Sequence, residues 1–163
     1  MYRPGHYGVA LLTYAPLGLV IGLTGYEAAA LVGCVLVVGL STIPDYDYYI
    51  PMIDHRGPTH TLVFAVLVGV GLAGITTAVV GEDTAFAGLG VVAFAFTIGT
   101  VAIVSHLLAD VLTPAGIRPF WPLSNRRYTL NLVKASDSVA NYLLLGLGVV
   151  AIVTVIVGIS LSA

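Results

Sequence analysis

Four histidines, His6, His55, His60 and His106, and four aspartates, Asp45, Asp47, Asp54 and Asp110, carry the chemistry this sequence can do. Imidazole and carboxylate are ligands that zinc accepts at about 2.0–2.2 Å. Mixed sets of the two also suit manganese or iron. His106 and Asp110 stand four apart, so on a helix they share one face and can point two donor atoms at one ion. The plainer alternative is a helix-end histidine hydrogen-bonded to its aspartate. Asp45 and Asp47 follow Pro44, and the residue before a proline avoids helical angles. Extended chain there would point both carboxylates the same way; a turn would make them helix caps. In His55-Arg56-Gly57-Pro58-Thr59-His60 the Gly-Pro turn lets two imidazoles approach, and Thr59 is placed to cap a helix starting near His60. One ion needs three protein ligands and an open position. This set exceeds that need, so one or two ions are expected. A bound divalent ion makes water acidic enough to react near neutral pH. Asp47 or Asp54 is the candidate general base, or orients a ligand histidine. Arg56 is the candidate partner for a phosphate group.

The elements that must position these residues are apolar. Of 163 residues, 58% are hydrophobic and 9% charged, against about 25% charged in a soluble domain. Five uncharged runs can be drawn: Val9 to Gly25, Ala28 to Ile43, Thr61 to Val80, Ala85 to Ser105 and Val139 to Leu161. Each approaches the roughly 17–25 residues of a membrane span, the second being short. The first two read as a hairpin turning near Thr24 to Glu27. The runs are continuous rather than alternating, which excludes barrel strands and leaves helices. Gly69, Gly71 and Gly74 suit close helix packing in lipid. Cys34, the single cysteine, reads as a small apolar filler. The first run is read as a span rather than a cleaved signal, since its polar prefix is weak and Pro16 interrupts it. The expected class is an all-α polytopic membrane helix bundle of about five spans, one domain over 1–163.

With five spans, one side receives Arg3, Arg56, Arg118, Arg126, Arg127 and Lys134, which are all of the positive side chains. That side is read as cytoplasmic, in a cell (inner or plasma) membrane. All eight histidines and aspartates named above fall on it as well. The segment Thr113 to Pro122 holds three prolines and cannot be a regular helix. It reads as a cytoplasmic-side re-entrant or interfacial loop lidding the site, with Phe120 and Trp121 at headgroup level.

These residues resemble the membrane-bound metal-dependent hydrolase family, the LexA-binding, inner-membrane-associated, YdjM-like hydrolases. The resemblance covers nearly the whole chain. It rests on His6, on Pro44-Asp45-x-Asp47, on His55-Arg56-Gly57-x-Thr59-His60, on His106-x-x-x-Asp110, and on Gly116, Phe120 and Pro122. Through a relation of that family to the zinc-dependent phospholipase C group, the resemblance implies phosphoester hydrolysis with bound zinc. It implies His6, Asp45, His60, His106 and Asp110 as metal ligands, with Asp47 and His55 as ligands or their supports. The later His-x-x-x-Glu pair of that group is missing, since no histidine or glutamate follows Asp110; one or two ions are therefore expected rather than three.

The function expected is a membrane-embedded metal-dependent hydrolase using metal-activated water. Its substrate would be a phosphoester of a lipid or other amphiphile, with membrane lipid as partner and no nucleic acid. The alternative is a non-enzymatic scaffold, or a proton or metal transporter, using the same cluster.

Overall fold

The computed structural model of the chain describes residues 1–52, 54–81, 85–86 and 89–162. Five α-helices follow one another: α1 Arg3–Leu23, α2 Glu27–Leu40, α3 Leu62–Val80, α4 Val91–Val111 and α5 Ser138–Ser162. Two short 3-10 helices, Ile43–Tyr49 and Pro58–His60, precede α3, and a two-residue antiparallel pair, Ala85–Phe86 with Leu89–Gly90, precedes α4. Glu82 and Asp83, which the charge pattern puts on the side opposite the basic residues, lie outside the described residues.

All five helical segments are long and apolar enough to cross a bilayer, provided that α2 is taken with its 3-10 continuation, Glu27–Tyr49. Alone, the 14 residues of α2 rise roughly 21 Å, short of a hydrocarbon core about 30 Å thick. The seven 3-10 residues add roughly 14 Å. The chain is a polytopic helix bundle, as the apolar runs predict. The runs mark lipid-compatible residues rather than helix limits, however. α4 begins six residues after its run and continues through His106 and Asp110, so that pair is helical, as its spacing predicts. α1 begins at Arg3, with proline in its first turn, and takes in His6.

α1, α2 and α4 form the centre of the bundle around Ala10, Tyr14, Val37, Ile98 and Ala102. α3 packs on α4, and α5 on α1; both bury few of their residues fully, as lipid-facing helices do. The α1–α5 seam depends on two glycines. A Cβ on Gly148 would lie 2.6 Å from the carbonyl oxygen of Gly8, and one on Gly8 would collide with the backbone of Leu144. Overpacking of this kind costs about 1–3 kcal/mol, so Gly8→Ala is expected to lower the thermal midpoint in detergent. Of the three glycines of α3, Gly69 meets α4 at the carbonyl of Phe96, 2.8 Å from its would-be Cβ, whereas Gly71 and Gly74 have nothing within 4 Å. Only the first serves close packing, because one helix face alone touches a neighbour.

Candidate metal centre

The basic residues and the histidines gather where the N-terminal ends of α1 and α3 meet the C-terminal ends of α2 and α4. The second apolar helix stops at Leu40, and the chain turns through the 3-10 helix Ile43–Tyr49. Asp45 and Asp47 are therefore neither extended nor helix caps. They approach His60 from its two sides, Asp45 toward Nε2 and Asp47 toward Nδ1. Thr61, not Thr59, caps α3, its hydroxyl accepting from the Phe64 N–H at 3.1 Å. Thr59 instead donates to Asp47 Oδ2 at 2.7 Å. His60 thus sits in the 3-10 turn before α3 rather than within it, and its ring points inward.

His6, His60, His106 and Asp110 are fully buried. Their donor atoms converge. His60 Nε2 lies 3.0 Å from His106 Nε2. Asp45 Oδ1 lies 3.6 Å from His60 Nε2 and 3.5 Å from His106 Nε2. Asp110 Oδ2 lies 3.6 Å and 3.8 Å from the same two nitrogens. Two ligands of a tetrahedral zinc, each at about 2.0–2.1 Å, stand roughly 3.3–3.4 Å apart. These distances bracket that edge.

The hydrogen bonds assign the tautomers. His106 Nδ1–H donates to the carbonyl of Ser41 at 2.8 Å, which leaves Nε2 with its lone pair. The Thr59 hydroxyl has given its proton to Asp47, so it accepts from His60 Nδ1–H at 3.0 Å. His60 Nε2 is thereby also bare. Two imidazole lone pairs aimed at each other repel unless a cation lies between them. Both nitrogens of His6 and Asp110 Oδ2 are buried with no hydrogen-bond partner among the described residues, and stranded polar atoms of this kind are costly. The donor set, its spacing and its orphaned atoms fit a divalent ion.

The other oxygen of Asp110 is already neutralised. Oδ1 accepts from the amino group of Met1 at 2.7 Å and from Arg56 Nη2 at 3.0 Å. Arg56 Nη1 also donates to Thr113 Oγ1 at 3.1 Å and to the Gly116 carbonyl at 3.2 Å. Arg56 has φ +63°, a left-handed conformation that a non-glycine residue keeps only when its surroundings enforce it. Here its N–H donates to Asp47 Oδ2 at 3.2 Å, and its side chain is tied to α4. His6 stacks flat on His106, ring centroids 3.9 Å apart, with Nε2 3.7 Å from both Asp45 Oδ2 and Asp110 Oδ1. A second ion beside His6 would meet Asp110 through the oxygen that already holds two cations. That charge pattern favours one ion over two.

The structure thus brings together His6, Asp45, His60, His106 and Asp110. His55 and Asp47 form the outer edge, joined by His55 Nδ1–H donating to Asp47 Oδ1 at 2.8 Å. His55 Nδ1 or Nε2 also comes within 4.8 Å of ligand atoms of Asp45 and His60. Asp54 stays outside the cluster, exposed on the wall of a surface cleft. Two participants escaped sequence reasoning: the Met1 amino group and Thr113. Nothing in the sequence marks a terminal amine as a partner of a residue 109 positions away. Asn141 keeps that amine in place, accepting from the Tyr2 N–H at 3.1 Å while its own amide donates to the carbonyls of Ala135 and Asp137.

Openings border the centre on two flanks. A pocket of about 20 Å³ lies among Arg3, Thr42, Asp45, Tyr46 and Tyr49, room for about one water. Asp45, one-third exposed, is the edge of the cluster that this pocket uncovers. On the other flank, His55 and Arg56 line larger clefts. Compared with known proteins, residues 1–162 match a family model described as YdjM inner membrane protein. No curated protein and no solved structure matches.

Proposed function

The chain belongs to the YdjM inner membrane protein family, and from that premise and the geometry of the buried cluster we propose a membrane-embedded, metal-dependent hydrolase of phosphoesters. The observation that carries the reading is the pair of bare imidazole nitrogens 3.0 Å apart, flanked by two carboxylate oxygens at 3.5–3.8 Å. His60, His106 and Asp110 would hold one divalent ion, zinc first by ligand type, with manganese or iron as alternatives. Asp45 would complete the set from the open side. Bound there, such an ion supplies Lewis acidity, lowering the pKa of water to about 7.

The chain's own groups do the rest. Asp47 accepts from His55, Thr59 and the Arg56 backbone, and through Thr59 it fixes the ring of His60. His55, partly exposed beside it, is placed to exchange protons with solvent. Arg56 and the Met1 amine balance the charge of Asp110. The substrate would be the phosphoester of a lipid or amphiphile entering at the basic end of the bundle. The asymmetry of arginine and lysine supports a cytoplasmic site in the inner or plasma membrane. Membrane lipid is the proposed partner and nucleic acid is not.

Transport by the same cluster is less well supported. A proton or metal path needs polar groups continuing across the bundle. Among the described residues, the next layer is Ala10, Tyr14, Val37, Ile98 and Ala102, and the Tyr14 hydroxyl is committed to the Ala30 carbonyl at 2.7 Å.

The test is metal analysis of the purified protein, followed by assay against a panel of phosphomonoesters and phosphodiesters. About one ion per chain is expected, with hydrolysis lost on chelation and restored by metal. Asp54→Asn, outside the cluster, is expected to keep its metal. Absence of stoichiometric metal after exposure to zinc, manganese and iron would defeat the proposal.

A further inference from the structure

Resting on the hydrolase reading, we propose that Arg118 and Arg127 form an oxyanion subsite that receives the phosphate end of an amphiphilic substrate beside the buried cluster. Two clefts open next to it. One, of about 210 Å³, is lined by Met52, Asp54, His55, Arg56, Arg118 and Trp121 among others. The other, of about 140 Å³, is lined by His55, Arg56, Gly116, Arg118 and Arg127 among others. They share the walls His55, Arg56 and Arg118.

Arg56 is spoken for, since three of its N–H groups donate to Asp110, Thr113 and Gly116. Arg118 and Arg127 are not. Both are exposed, and among the described residues neither side chain has an ion pair or hydrogen bond. Asp54, the one acidic wall, pairs with neither. Arg126, by contrast, lies over the Tyr128 ring, 5.4 Å from its centroid, and lines neither cleft. Arg118 and Arg127 both line the second cleft, and two unpaired guanidinium forks on its walls offer the bidentate donors that phosphate oxygens take. His55 connects this room to the centre through Asp47.

The surroundings suit an amphiphile. Trp121 on the cleft wall is 39% exposed, and its chain neighbours Phe120 and Leu123 are 45% and 91% exposed. Apolar side chains bordering unpaired arginines match the boundary between lipid tails and anionic heads.

Trp121 is the only tryptophan, so its emission reports occupancy without any assay of hydrolysis. The full chain in neutral phosphatidylcholine nanodiscs is titrated with inorganic phosphate at constant ionic strength. A saturable change is expected, weakened about tenfold or more by Arg118→Gln and by Arg127→Gln, and kept by Arg126→Gln. All three side chains are exposed, and the variants should retain their metal content and thermal midpoint. Nanodiscs containing phosphatidic acid separate the sources. A signal already saturated there means a lipid headgroup, whereas an unchanged phosphate titration means a soluble phosphoester; either supports the subsite. No saturable change, or equal weakening by Arg126→Gln, would overturn it. Phosphate binding in a protein that holds no metal would leave the subsite standing and the hydrolase reading defeated.

Discussion

Replacing His60 and His106 together by alanine is expected to reduce bound metal from about one ion per chain to a trace, measured by elemental analysis of protein purified under identical conditions. The two Nε2 atoms are the closest donors in the cluster, 3.0 Å apart, and they are the pair whose lone pairs are left free by hydrogen bonds on the opposite ring nitrogens. Loss of one imidazole would still leave three of the four converging donors. Loss of both leaves two carboxylates, one of them partly exposed, and His6, which faces Asp110 only through the oxygen already held by Met1 and Arg56; that set holds a borderline-soft ion poorly. The double variant should remain folded in detergent. Both rings lie in a pocket of polar atoms, and their removal relieves lone-pair repulsion while opening space beside Asp110. Metal content equal to the wild type would mean that the ion sits elsewhere.

Replacing Arg56 by methionine is expected to lower stability by about 3 kcal/mol, the lower end of the cost of breaking a buried ion pair. Asp110 is fully buried and would keep only the Met1 amine on Oδ1. The same change unties α4 and the following loop from the His55–His60 turn, because the Arg56 guanidinium bridges Asp110, Thr113 and Gly116. Arg56→Lys keeps the charge but not the fork, so partial recovery is expected. Thermal unfolding in detergent gives the comparison. A methionine variant as stable as the wild type would show that the guanidinium serves substrate alone, the role that its place among the histidines suggests in sequence.

The alternation of apolar runs was legible because a bilayer reads composition segment by segment. α5 shows this most clearly, its observed Ser138–Ser162 against an apolar run from Val139 to Leu161. α4 shows the limit. Its apolar run breaks off before His106, but a helix can continue through polar residues when neighbouring elements satisfy them, as Ser41 and Arg56 do here. The pair His106 and Asp110 was legible from its spacing alone. The direction of Asp45 and Asp47 was not, because a 3-10 turn after Pro44 rotates successive side chains differently from either extended chain or a cap. Nor was the exclusion of Asp54, which adjoins His55 in sequence but lies on the wall of the surface cleft.

By itself the sequence determined that the protein crosses a membrane about five times and that its four histidines and Asp45, Asp47, Asp54 and Asp110 share an end with every arginine and lysine. Hydropathy and charge are sums over neighbouring residues, and the solvent acts on those sums. The tertiary structure alone decided which donor atoms face one another, that Arg56 turns inward to Asp110, and that the chain's own amine reaches the site. Those contacts join residues 46, 54 and 109 positions apart. They depend on how each helix is rotated about its axis, which is fixed by packing between segments and is written in no single one of them.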